Sequence, residues 1–401
     1  MNKALEDIVV VDLTRFAAGP FCTMNFADLG AKVIKIEHKN SADASRGFIP
    51  FLGEGEDEIS GYYCQYNRGK KGISLDLYSE EGKAILRRLL AKADILVENY
   101  RAGIMNKMGL GYEEIHKEFP KLVYVSISGY GQYGPYTTRP CFDNCAQALS
   151  GLWAANGYPD RPPVRVGTII GDLSASLFGT IGALAALHYA QETGVGQWVD
   201  VAQLDSTLAM TETMVVNYLT GGVVTKPMGN DHPFVMPYSL FECKDGYIYD
   251  GGYTDKFWQA QCEFFGEPEY AKDPRVDTMV KRHVRETYDA YVKPKLVEWI
   301  KNYTMDELME GLGDKIPMAP IKDMPEVVKD PQILARDMIQ HIDYPQGDVG
   351  IFGSPIKLSE TPAETRVKAP VVIGCDNEEI YLDWLGMSKE EYENYKASGV
   401  I

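Results

Sequence analysis

The chain has 401 residues and a net charge of −17, with 45% hydrophobic and 24% charged residues. This is the composition of a soluble globular protein long enough for two cores, and its acidity disfavours nucleic acid or an anionic membrane as partner. Seven dispersed cysteines without a C-x-x-C pair or zinc-spaced histidines imply reduced thiols and no metal site.

The first residues carry no apolar signal region before an apolar run at 8–11, so a cytoplasmic location is expected. That run reads as a strand buried on both faces of a parallel sheet. A turn at 17–20, a helix at 21–29 stopped by Gly30, and a strand at 32–37 complete a βαβ opening of nucleotide-binding type. The phosphate fingerprint G-x-G-x-x-G is missing, which removes the main support for a dinucleotide-dependent dehydrogenase, although Glu37 ends its strand as a ribose-binding acid would. Strands at 72–77, 94–99 and 122–128 alternate with a helix at 79–92 and a short helix containing Lys107, which favours an open α/β sheet. Arg68, Lys70, Lys71, Arg101 and Lys107 fall at strand or loop ends, where they either cradle phosphates or form a solvated surface.

Residues 168–187 are apolar and rich in small side chains, with one charge, Asp172, beside Gly171 near the start. The pattern predicts a buried helix. Asp172 is either its N-cap or an ionised carboxylate held at a helix N-terminus as a covalent nucleophile, and the residues alone leave both readings standing. A strand at 196–202 and a helix at 204–219 follow. Residues 223–237 read as a linker, and a hairpin turning at 244–246, helices at 256–265 and 284–302, and a capping box at Thr304–Glu307 suggest a smaller α+β domain. The expected organisation is 1–222 as the first part of a large α/β domain, 223–325 as linker and small domain, and 326–401 as a segment completing the large domain.

Several stretches, in one order along nearly the whole chain, resemble the family III CoA-transferases. They include Ala18-Gly-Pro20, Glu98-Asn-Tyr-Arg101, Lys107-Met-Gly109, Ser128-Gly-Tyr-Gly131, Gly171-Asp172 and Cys243-Lys-Asp-Gly246. The resemblance implies an open Rossmann-like parallel sheet with a smaller α+β domain, in two chains interlocked like rings. It implies an aspartate nucleophile at Asp172, with coenzyme A, as substrate rather than resident cofactor, contacted at Ala17, Ala18, Asn99, Tyr100, Arg101 and Lys107. Asp143, Phe142 and His232 are supporting candidates, Asp143 as a second carboxylate positioning or tuning Asp172.

The resemblance further implies transfer of CoA from an acyl-CoA to a free carboxylic acid through an aspartyl-CoA thioester. The glutamine of the formyl-CoA enzyme's first turn is Ala17 here, its arginine after the second strand is His38, and residues 228–233 stand where it has a glycine loop. Oxalate and formate are therefore disfavoured, and residues 128–250 are closer to carnitine, bile-acid or 2-hydroxy-acid members. An acyl-CoA racemase of the same fold would need a histidine in the 139–143 tract, where Phe142 stands. A non-catalytic acyl-CoA-binding protein would keep the basic pocket without needing Asp172.

Overall fold

The computed structural model describes residues 3–401. Six parallel strands, each with apolar residues at its centre, form the sheet: β1 (Val9–Asp12), β2 (Lys32–Glu37), β3 (Lys71–Ser74), β4 (Ile95–Glu98), β5 (Val123–Ser128) and β6 (Trp198–Ala202). Across the sheet they run β3-β2-β1-β4-β5-β6, the doubly wound order of nucleotide-binding folds. Both faces are covered, and Val10, Val11, Leu96, Val97, Val123 and Val125 are fully buried.

Helix α1 (Ala18–Asp28) begins earlier than the sequence predicts. Pro20 is its third residue, where the missing N–H is one that no helix would use. The helix at 79–92 forms as Glu80–Leu90 with Ser79 as its cap, accepting from the Gly82 N–H. The predicted helix at 204–219 is two helices, Gln203–Ala209 and Met214–Gly221. Between them Glu212 adopts φ 55°, and the Thr211 hydroxyl bonds the Leu208 carbonyl, competing with the helical ladder.

The helix predicted around Asp172 spans Ile170–Thr193. It is long and apolar enough to cross a membrane by composition, yet half of its most apolar window is buried within the protein. Small residues face the sheet: a Cβ on Gly179 would sit 3.1 Å from Ile127 Cδ1, and one on Gly182 would sit 2.7 Å from Val199 Cγ1. Glycine here sets how closely helix and sheet approach.

The described residues separate into two compact units. One comprises the chain up to Trp153, Arg165–Val223 and Pro331–Ile401; the other comprises Ala154–Val164 and Val224–Asp330. The piece 154–164 thus clusters with the second unit, although it lies within the expected first segment, 1–222. In the second unit the strands Ser239–Cys243, Gly246–Asp250 and Met318–Pro320 form an antiparallel sheet over a core of Trp258, Leu296, Trp299 and Ile300. In the first unit, the late hairpin Ile339–Tyr344/Gly347–Phe352 packs Ile342, Tyr344, Val349 and Ile351 on Tyr63 and Cys64.

Candidate active site

Strands β1 and β4 lie side by side, and successive strands are added outward from them in opposite directions. This switch point leaves a crevice beyond the carboxyl ends of the strands, the usual ligand position in such sheets. A cavity of about 790 Å³ opens there, wholly within the first unit. It is lined by Phe16–Ala18 between β1 and α1, Asn99–Arg101 after β4, Ser128–Tyr130 at the end of β5, and by Asp172 and Gln203. A depression of about 870 Å³ on the second unit, at residues 266–275, brings no comparable carboxylate and amide together.

The β1 and β4 loops are tied to one another. Asn99 accepts the Arg15 N–H at 2.9 Å and donates to the Arg15 carbonyl at 2.8 Å. Phe16, next in the chain, has φ 67°, a left-handed backbone that is uncommon outside glycine. Its N–H donates to Asp43 Oδ1 at 3.0 Å. Asn99 therefore lines the cavity with both ends of its amide already committed to backbone.

Asp172 is not the helix cap. Ile169 holds the cap position, and Asp172 is the third helical residue. The capping contact comes from Asp143, whose Oδ1 accepts the Gly171 N–H at 2.7 Å and whose Oδ2 accepts from Gln147 Nε2 at 2.7 Å. A Cβ on residue 171 would lie 3.0 Å from both Asp143 Oδ1 and Thr207 Oγ1, so glycine lets the second carboxylate approach. The Asp172 side chain is left to the cavity, where its Oδ1 accepts from Gln203 Nε2. Burial, with the Asp143 charge adding to it, pushes the Asp172 carboxyl up to about 7. Burial and the Asp172 charge both raise the phenols of Tyr62 and Tyr66. A carboxylate this reluctant to ionise is a stronger base, and hence a better nucleophile, than one in water.

Of the residues singled out by sequence, Ala17, Ala18, Asn99, Tyr100, Arg101, Phe142, Asp143 and Asp172 line this cavity. Lys107 does not; it ends the short helix Ile104–Lys107 on the exposed surface. His232 belongs to the second unit, where its Nδ1 accepts the N–H groups of Phe234 and Val235.

The phosphate-cradle reading fails for Arg68 and Lys70. Both are buried, Arg68 in a two-pronged pair with Asp28 and Lys70 at 3.0 Å from Asp12. Lys71 pairs instead with Asp376 and Glu379. Glu37 is likewise spent, accepting from Arg46, Tyr63 and the Asp43 N–H. The sequence reading missed Gln203, Arg139 and Arg165, all on the cavity wall. For Gln203 one signal existed: it directly follows a predicted parallel strand, where ligand-facing residues collect.

Fold and cavity together define an open-sheet α/β protein with a ligand-sized cavity at its switch point. The chain belongs to CoA-transferase family III, whose model matches residues 5–377, and the protein is a CoA-transferase acting on CoA thioesters. This is the family its motifs resemble. A succinyl-CoA:mesaconate CoA-transferase of Haloarcula hispanica is 36% identical over 377 residues, covering 92% of this chain and 93% of that one. A succinyl-CoA–D-citramalate CoA-transferase of Chloroflexus aurantiacus is 34% identical, covering 100% and 98%. The crystal structure of a CAIB/BAIF family protein from Brucella suis matches with a TM-score of 0.84 at 34% identity, covering 96% of this chain and all of that one.

Proposed function

We propose that the protein moves CoA from an acyl-CoA, with succinyl-CoA the favoured donor, to a short dicarboxylic acid through a CoA thioester on Asp172. The observation that carries this reading is the Asp172 carboxylate itself: half-buried, in the switch-point cavity, and raised to about 7. Its free oxygen attacks the thioester carbonyl, expelling CoA thiolate and leaving a mixed anhydride. The thiolate attacks the Asp172 carboxyl carbon, releasing the donor acid and forming the enzyme thioester. An incoming carboxylate then runs both exchanges in reverse, so each step trades acyl bonds of similar energy. Tyr100, Arg101 and the start of α1 after Ala17 are proposed to meet the CoA moiety, since a helix N-terminus attracts phosphate, as does a guanidinium that has no carboxylate partner among the described residues.

Among the carnitine, bile-acid and 2-hydroxy-acid types that the motifs favour, two findings turn the reading from carnitine and bile acids to diacids. The names of the two transferases reported above specify succinyl-CoA with mesaconate or citramalate. In addition, Arg139 and Arg165 line the cavity and have no carboxylate partner among the described residues, although the chain carries 17 excess negative charges. The racemase alternative lacks its base: among the described residues no histidine lines the cavity, and Phe142 does. An interlocked homodimer remains part of the proposal. Exposed Leu177, Phe178 and Ile181 on one helix and Val216 and Leu219 on another support it.

The test supplies succinyl-CoA with mesaconate, citramalate, glutarate, carnitine or cholate in turn. New CoA esters of the diacids are expected; esters formed with carnitine or cholate alone would overturn the substrate class. Succinyl-CoA without acceptor should release succinate and leave CoA on the peptide containing Asp172, in a linkage cleaved by hydroxylamine. Turnover with no adduct at any quench time would sink the covalent route.

A further inference from the structure

Gln203 is the first residue of the helix Gln203–Ala209 and directly follows β6. It is buried, yet its side chain supports no secondary structure. Nε2 donates to Asp172 Oδ1, and Oε1 accepts the Cys141 thiol at 3.6 Å. Its backbone is anchored separately: the Thr207 hydroxyl donates to the Gln203 carbonyl at 2.7 Å, and the neighbouring Leu204 N–H donates to the Gly129 carbonyl at 3.1 Å.

We propose that Gln203 holds Asp172 Oδ1 and stabilises the negative charge on that oxygen whenever the Asp172 carboxyl carbon becomes tetrahedral. The proposal rests on Asp172 being the nucleophile. When CoA thiolate attacks the anhydride, the C–S bond forms and the carbonyl electron pair moves onto Oδ1. Its return breaks the bond to the bridging oxygen, and the donor acid leaves as a carboxylate. When the acceptor carboxylate attacks the thioester, charge again collects on Oδ1, and thiolate leaves. One donor aimed at one oxygen serves both steps, because the same carbon is attacked each time.

The contact also divides the labour between the two oxygens. Oδ1 is held as the carbonyl oxygen, while Oδ2 is free to attack. A primary amide is suited to this position because it donates without titrating. The Cys141 thiol, which lies 3.5 Å from the Phe142 carbonyl and 3.6 Å from Gln203 Oε1, favours the amide oxygen at the end away from Asp172. Burial pushes that thiol up to about 11, so at neutral pH it keeps the proton it donates.

The experiment compares Gln203→Met, which keeps length without a donor, and Gln203→Glu, which keeps shape, with the wild type. Loss of one oxyanion donor should lower kcat about 100- to 1,000-fold, while KM for succinyl-CoA changes less than about threefold. The acid limb of kcat/KM should move to higher pH in Gln203→Met, because the ionised carboxylate has lost its donor. It should move further in Gln203→Glu, where a second carboxylate faces it. In quenched single turnovers the CoA adduct on Asp172 should form more slowly by the same factor as kcat. A folded Gln203→Met that forms the adduct at the wild-type rate, with its acid limb unmoved, overturns the proposal and leaves Asp172 as nucleophile. Wild-type turnover without any adduct removes the Asp172 mechanism and this proposal with it.

Discussion

Asp143 stands in the place a capping residue would take for the helix that carries Asp172, its Oδ1 accepting the Gly171 N–H at 2.7 Å. The two carboxylates thus share one helix start with different tasks. Asp143 satisfies the backbone, and its charge helps keep Asp172 hard to ionise. Asp143→Ala should therefore have two separable effects. Losing the cap should cost about 1 kcal/mol of stability in urea unfolding. Losing the charge should move the acid limb of kcat/KM to lower pH. A limb that stays put or rises would show that Asp143 does not tune Asp172.

Asp172→Asn should reduce transfer by at least about a thousandfold, since the nucleophile is removed rather than weakened. It should also stabilise the fold at neutral pH. In the unfolded chain the carboxyl releases its proton near 3.8, whereas the folded value is about 7. Between these values the folded state binds more protons, so stability falls as pH rises and the deficit is complete above 7. The variant has no such deficit. Its advantage in urea unfolding should be greatest at pH 7 to 8 and vanish near pH 4, and an advantage independent of pH would contradict the raised value.

Arg139 and Arg165 are expected to read the second carboxylate of a diacid. Replacing either with Ala should raise KM for mesaconate about 10- to 100-fold, the usual worth of a charge-assisted hydrogen bond. The same change should leave KM for a monocarboxylic acceptor of similar length nearly unaltered. Equal losses for both acids would assign these arginines to CoA or to general attraction.

Lys70 offers a contrast between a buried ion pair and a ligand contact. Burial lowers its ammonium to about 8, even with Asp12 3.0 Å away. Lys70→Met should cost about 3–5 kcal/mol by leaving Asp12 under-compensated, and adding Asp12→Asn should restore much of it. Were Lys70 a phosphate ligand, CoA affinity would fall in a salt-dependent way while stability held.

The sheet was legible because strands buried on both faces carry mostly apolar side chains, as at Ile95–Glu98, which is buried throughout. Asp172 was legible as the lone charge near the start of a small-residue helix, but its position in that helix was not. The group that displaces it from the cap, Asp143, lies 28 residues before Gly171, and only folding brings them together. Arg68 and Lys70 read as phosphate ligands or solvated surface charges, both accessible, because charged side chains are rarely buried. Their partners, Asp28 and Asp12, are 40 and 58 residues away. Arg139 and Arg165 carry no local pattern, and Gln203 only its place directly after a strand; what marks all three is a common wall reached from different strands and loops.

The double hydrogen bond between Asn99 and Arg15 makes the loops after β1 and β4 a single rim. Neither can be exchanged independently. A chimera that takes residues 13–18 from a relative needs a residue at 99 able both to accept and to donate, or the left-handed turn at Phe16 loses a neighbour's support. Among homologues, the two loops should be inherited as one cassette although more than eighty residues separate them.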